Sequence, residues 1–87
     1  FYKKIFTKCE IKYCLSKTDV YRHFAARFCA KEAFIKASGL KKFSFKMAEI
    51  KIIKQKPVLK VVGKKYKSFL SISHGNEFAV AFLILYE

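Results

Sequence analysis

Glu32 and Lys36 stand four residues apart in the stretch Arg27-Phe28-Cys29-Ala30-Lys31-Glu32-Ala33-Phe34-Ile35-Lys36-Ala37. On a helix this spacing projects a carboxylate and an ammonium from one face, one turn apart. A carboxylate is the natural ligand of a hard cation, and a fixed ammonium stabilises phosphate oxygens, so the pair can serve group transfer at phosphorus. The plain reading is a solvated brace worth about 0.2–0.5 kcal/mol. Against it, Phe28, Ala33 and Phe34 border the face and put Glu32 at least half inside the protein, where a carboxylate needs a cation or a metal. Arg27 precedes Glu32 by five residues, about 140° around a helix, and so serves another face. A second stretch, Ser71-Ile72-Ser73-His74, begins 39 residues after Glu32. It alternates like a strand and ends with His74 beside Gly75, a position from which side chains reach ligands. Ser71 and Ser73 can donate to a phosphate. No Asp is placed to complete a nucleophilic triad with either.

The elements that must hold these groups follow from periodicity. Ile5 to Leu15 reads as a short helix, with Ile5, Phe6, Cys9, Tyr13 and Cys14 at helical spacing and Thr7 as a candidate N-cap. Ser16-Lys17-Thr18-Asp19 breaks it. Thr18 or Asp19 can cap a long helix that runs to about Ser38, with Phe24, Phe28, Ile35 and the alanines as its buried stripe and Gly39 as its left-handed stop. Glu49 to Ile53 and Val58 to Val62 form a hairpin through Lys54-Gln55-Lys56-Pro57. Phe69 to Ser73 and Phe78 to Tyr86 form a second pair through His74-Gly75-Asn76-Glu77. The last run is apolar on both faces, which predicts a central strand covered on both sides. The expected fold class is α+β, a long helix packed on a small antiparallel sheet, with residues 1–87 as one domain.

Composition narrows the classes. An 87-residue domain buries only about 60 to 65% of its unfolded surface and tends to lean on partner subunits. Apolar residues at 53% and ten Phe require a packed core despite a net charge of +13. No apolar run approaches the roughly 18 residues of a membrane span. Cys9, Cys14 and Cys29 follow no CxxC spacing and have no His cluster near them, which favours a reducing compartment over a disulfide frame or zinc site. Of 19 basic residues only Arg22 and Arg27 are arginine, the better phosphate fork. A charge excess of this size attracts anions: nucleic acid, a membrane surface or an acidic protein. A small basic RNA-binding module is the rival reading, but no RRM, KH or zinc-knuckle motif is present.

The order RFxAKEAxxKA, then alternating strands ending in SISH, resembles the holo-acyl-carrier-protein synthase family of 4′-phosphopantetheinyl transferases. The resemblance runs from Ile5-Phe6-Thr7 to Ala79-Val80-Ala81-Phe82. It implies Mg²⁺-dependent transfer of the 4′-phosphopantetheine arm of coenzyme A onto a serine of apo-acyl-carrier protein, releasing 3′,5′-ADP, as a step of fatty acid biosynthesis. It implies Glu32 as a Mg²⁺ ligand, Lys36 as a catalytic phosphate cation, Arg27, Ser73 and His74 beside coenzyme A, and a homotrimer with sites between subunits. The family's N-terminal strand, with an aspartate that also binds Mg²⁺, would precede Phe1, so the chain looks like part of a longer one. A non-catalytic homologue keeping the fold is a further reading. Where the family has a helix before SISH, this chain has only Lys64-Lys65-Tyr66-Lys67-Ser68. The acidic carrier suits a surface bearing Lys3, Lys4, Lys8 and Lys12. The implied compartment is the bacterial cytoplasm or a plastid-like organelle of bacterial descent.

Overall fold

Thr7 sets the entry to the second helix by a reciprocal cap. Its hydroxyl accepts from the Glu10 N–H at 3.2 Å, and its own N–H donates to Glu10 Oε1 at 2.9 Å. The computed structural model describes residues 2–75 and 78–86. It divides the expected Ile5–Leu15 helix in two, α1 (Tyr2–Ile5) and α2 (Lys8–Leu15), because Thr7 takes an extended conformation to make this cap. The long helix α3 spans Val20–Ser38 and stops at Gly39, which has φ 67° and so adopts the left-handed conformation that Gly tolerates. Asp19 sits at its N-cap position without a side-chain capping bond. Its carboxylate pairs instead with Arg22 at 2.7 Å.

Strands β1 (Ala48–Ile53) and β2 (Lys56–Val61) pair antiparallel, with Ile50 opposite Leu59. The turn between them is shorter than the sequence suggests. Only Lys54 and Gln55 stand outside the strands, both at positive φ (51° and 65°), the geometry of a two-residue hairpin that matches strand twist. Gly63 (φ 78°) then turns the chain, and no helix intervenes before β3 (Lys67–His74). β4 (Ala79–Tyr86) returns antiparallel to β3, pairing Ser71 with Phe82 and His74 with Ala79. Gly75 N–H bonds Phe78 O at 2.9 Å across the connection, whose Asn76 and Glu77 lie outside the described residues.

Helix α3 lies across β4, β3 and β1. Ala30 and Phe34 of α3 bury against Ala48, Ile50, Leu59 and Leu70, and the Tyr66 ring meets Phe34 edge-on at 5.3 Å. A second cluster, Ile5, Phe6, Cys14 and Phe24, joins α1 and α2 to the front of α3. The architecture is therefore a long helix on two small antiparallel sheets. The expectation of a central, doubly covered last strand fails. β4 pairs only with β3 among the described residues, and its outer face is open: Val80, Phe82, Ile84 and Tyr86 are exposed, as is Phe69 across from Ile84. One helix can cover only one face of a sheet. Among the described residues nothing covers the apolar side chains of the other face.

Candidate functional site

Arg27 is the most constrained cation that faces a cavity. It is 4% exposed, and its Nη1 donates to His23 O, one turn earlier, at 3.2 Å. The guanidinium lies over the Tyr13 ring at 4.3 Å, so α2 fixes the plane of an α3 side chain. Its Nε is buried without a hydrogen-bond partner among the described residues. Lys17 also lies over Tyr13, with Nζ 4.6 Å from the ring centre. His74, at the end of β3, meets the His23 ring at 5.3 Å, and His23 in turn meets Tyr13 at 5.8 Å. These groups line a cleft of about 420 Å³ whose far wall is Ile52, Gln55, Pro57 and Ile72. Burial pushes the His23 imidazole below its ordinary value, and the charges of Arg27, His74 and Lys17 add to that, with Asp19 opposing. The cleft is cationic and partly apolar, a form that holds a phosphorylated nucleotide.

Of the residues expected from sequence, Arg27 and His74 meet in this cleft. Glu32, Lys36 and Ser73 do not line it. Glu32 is partly buried, Lys36 and Ser73 are exposed, and no ion pair joins Glu32 to Lys36, so the brace reading is not what the pair does. Glu32 has no hydrogen-bond or ion-pair partner among the described residues. Arg27 and the Glu32–Lys36 pair thus stand on different faces of α3.

Sequence reasoning missed a buried ion pair beside Glu32. Lys31 and Glu10 have fully buried side chains and meet at 2.8 Å. Lys31 Nζ also donates to Phe45 O at 2.8 Å and Ala48 O at 2.6 Å, while Glu10 Oε2 accepts from Ile50 N–H at 2.8 Å. The Thr7 hydroxyl donates to Glu49 at the edge of this network. Burial pushes the Lys31 ammonium down, and the hydrogen bond and charge of Glu10 oppose it. The signal was present: residues 27 and 31 continue the spacing of Phe24, Phe28, Phe34 and Ile35, which places an Arg and a Lys in the apolar stripe. His23 was also missed, although it stands one turn before Arg27 on the same face.

The sequence profile described as the 4′-phosphopantetheinyl transferase superfamily matches residues 1–83. The chain belongs to that superfamily. A holo-[acyl-carrier-protein] synthase of Thermodesulfovibrio yellowstonii is 40% identical over 98% of this chain and 77% of its own length. One of Chlamydia caviae is 45% identical over 90% of this chain and 71% of its own. The crystal structure of the Thermotoga maritima holo-[acyl-carrier-protein] synthase superposes with a TM-score of 0.83 at 35% identity, covering 98% of this chain and 53% of that one. The resemblance read from RFxAKEAxxKA and SISH is therefore correct, and so is the fold it implied. The chain carries a phosphopantetheinyl transferase fold, an enzyme fold whose helix α3 holds the motif. No helix among the described residues is long and apolar enough to cross a membrane.

Proposed function

We propose that the protein transfers the 4′-phosphopantetheine arm of coenzyme A to a serine hydroxyl of apo-acyl-carrier protein, releasing 3′,5′-ADP. The observation that carries this is the division of the motif over two faces of α3. Arg27 and His74 form a cationic cleft, and Glu32 and Lys36 stand elsewhere on the helix. Two such faces can serve one site where two chains meet, in keeping with the homotrimer with sites between subunits that the family resemblance implies. The outer face of β3 and β4, with Phe69, Val80, Phe82, Ile84 and Tyr86 exposed, is the apolar surface offered for that assembly.

Arg27 and His74 hold the nucleotide phosphates, with Tyr13 keeping the guanidinium in plane. Ser73 alternates with His74 along β3 and does not line the cleft, so its hydroxyl has no part in this phosphate site. Lys36 of a neighbouring chain places a positive charge against the pyrophosphate, where negative charge develops as 3′,5′-ADP departs. Glu32 fits a Mg²⁺ ion, because its carboxylate is partly exposed and uncommitted. Mg²⁺ is commonly held by one or two carboxylates plus substrate phosphates. When bound, Mg²⁺ would neutralise charge on the pyrophosphate and favour attack at phosphorus. The carrier meets a groove of about 700 Å³ in which Lys3, Lys8, Lys12 and Lys46 surround Phe6, Ile11 and Leu15. Basic rims with an apolar floor suit an acidic amphipathic helix.

Transfer from coenzyme A to apo-carrier tests the assignment. Glu32→Gln abolishes Mg²⁺-dependent transfer with the fold intact, and Lys36→Ala slows it by about 10² or more. Near-normal turnover in Glu32→Gln refutes the metal role.

A further inference from the structure

The cleft of Arg27 and His74 has a second imidazole in its wall. The charged and titratable groups that face His23 are Tyr13 from α2, Lys17 and Asp19 from the α2–α3 connection, Arg27 from α3 and His74 from β3. The β1–β2 hairpin adds Gln55 and Pro57, which do not titrate. The only carboxylate among these is Asp19, and Arg22 already holds it at 2.7 Å. Among the described residues the cleft therefore gathers positive charge without a free anion, and one of its donors, Arg27 Nε, is buried without a partner. A phosphate group in the cleft would supply the anion.

We propose that His23 is a further phosphate-holding residue of this cleft, and that binding of a phosphate group draws one proton from solvent onto its imidazole. The proposal rests on the coenzyme A reading above and adds to it a residue and a proton. In the empty cleft, burial and the neighbouring cations keep the imidazole below its ordinary 6.5, hence neutral at pH 7. An anionic phosphate reverses the local field. The imidazolium becomes the favoured form, one N–H bond is made at the ring, and the proton comes from water or buffer. Binding then strengthens as pH falls through the raised titration midpoint of the complex, and the gain levels off below that of the empty cleft. His23→Phe removes the proton site and keeps an aromatic ring against Tyr13 and His74.

The test is an NMR titration of the imidazole signals of the complete protein from pH 5 to 8.5, with and without saturating coenzyme A. The His23 signal is identified by its loss in His23→Phe or, should that variant fold poorly, by its persistence in His74→Asn. The expected result is a rise of the His23 midpoint by about one unit on binding. Coenzyme A affinity between pH 8 and 6 should also change about three- to sixfold more in the native protein than in His23→Phe, a difference that cancels titration of the phosphates themselves. Coenzyme A that binds while the His23 midpoint stays or falls overturns this proposal alone. Parallel pH dependence in the two proteins does the same. Absence of any coenzyme A binding overturns the functional reading and this proposal with it.

Discussion

Arg27 combines features that a lysine in its place would not reproduce together. Its guanidinium stacks on Tyr13, donates to His23 O and keeps Nε without a partner in the described protein. A lysine ammonium has no plane to stack and no fork to share between phosphate oxygens. Arg27→Lys should therefore raise the KM for coenzyme A by about tenfold or more and leave kcat nearer to its native value, the pattern of a lost binding contact. Steady-state kinetics over a range of coenzyme A concentrations checks this, and an unchanged KM would remove Arg27 from the binding site. Arg27 and His74 were legible in sequence because the motif's residue types and order carry them. Tyr13, Lys17 and Gln55 were not, since each comes from a different segment and only the packing of α2 and the first hairpin against α3 brings them to one cleft.

The elements are held in register by the buried Glu10–Lys31 pair. It links the cap of α2, the middle of α3 and the start of β1 through charge-assisted bonds in a region without water contact. Removing one partner leaves an uncompensated buried charge, which costs about 3–5 kcal/mol. Glu10→Gln and Lys31→Met should each lower stability by roughly that amount, and the double variant should lose clearly less than the sum of the two. Urea unfolding of the three variants reads the coupling. Additive losses would mean that the two side chains act independently. Much at this scale could be read beforehand. Thr7 and Glu10 have the T-x-x-E spacing of a capping box, Gly39 stops α3, and both hairpins lie close to where alternation put them. The environment of β4 could not be read, because an apolar run shows residues that avoid water without showing what, if anything, covers each face.

At the scale of the whole molecule, the described residues leave the outer face of β3 and β4 uncovered. Phe69 (60% exposed), Phe82 (61%) and Ile84 (45%) lie on one sheet face with Val80 and Tyr86. The proposed trimer buries this face and joins the two sets of site residues. Phe82→Lys should give monomers by sedimentation and abolish transfer, although Phe82 is remote from the cleft and points away from the core on α3. Mixing inactive Glu32→Gln and Arg27→Ala proteins should restore part of the activity, since some mixed interfaces draw one intact residue from each chain. A native protein that sediments as a monomer at micromolar concentration would refute the assembly.

The hairpin between β1 and β2 turns through Lys54 and Gln55, two residues with side chains held at positive φ. Asn-Gly would make the same turn with less strain. Gln55, however, lines the cleft, and a glycine there would take its amide out of the wall. At this position a sequence selected for durability and one selected for ligand recognition part company, so a more heat-resistant relative that relaxes the turn would have to rebuild the cleft's rim from another residue.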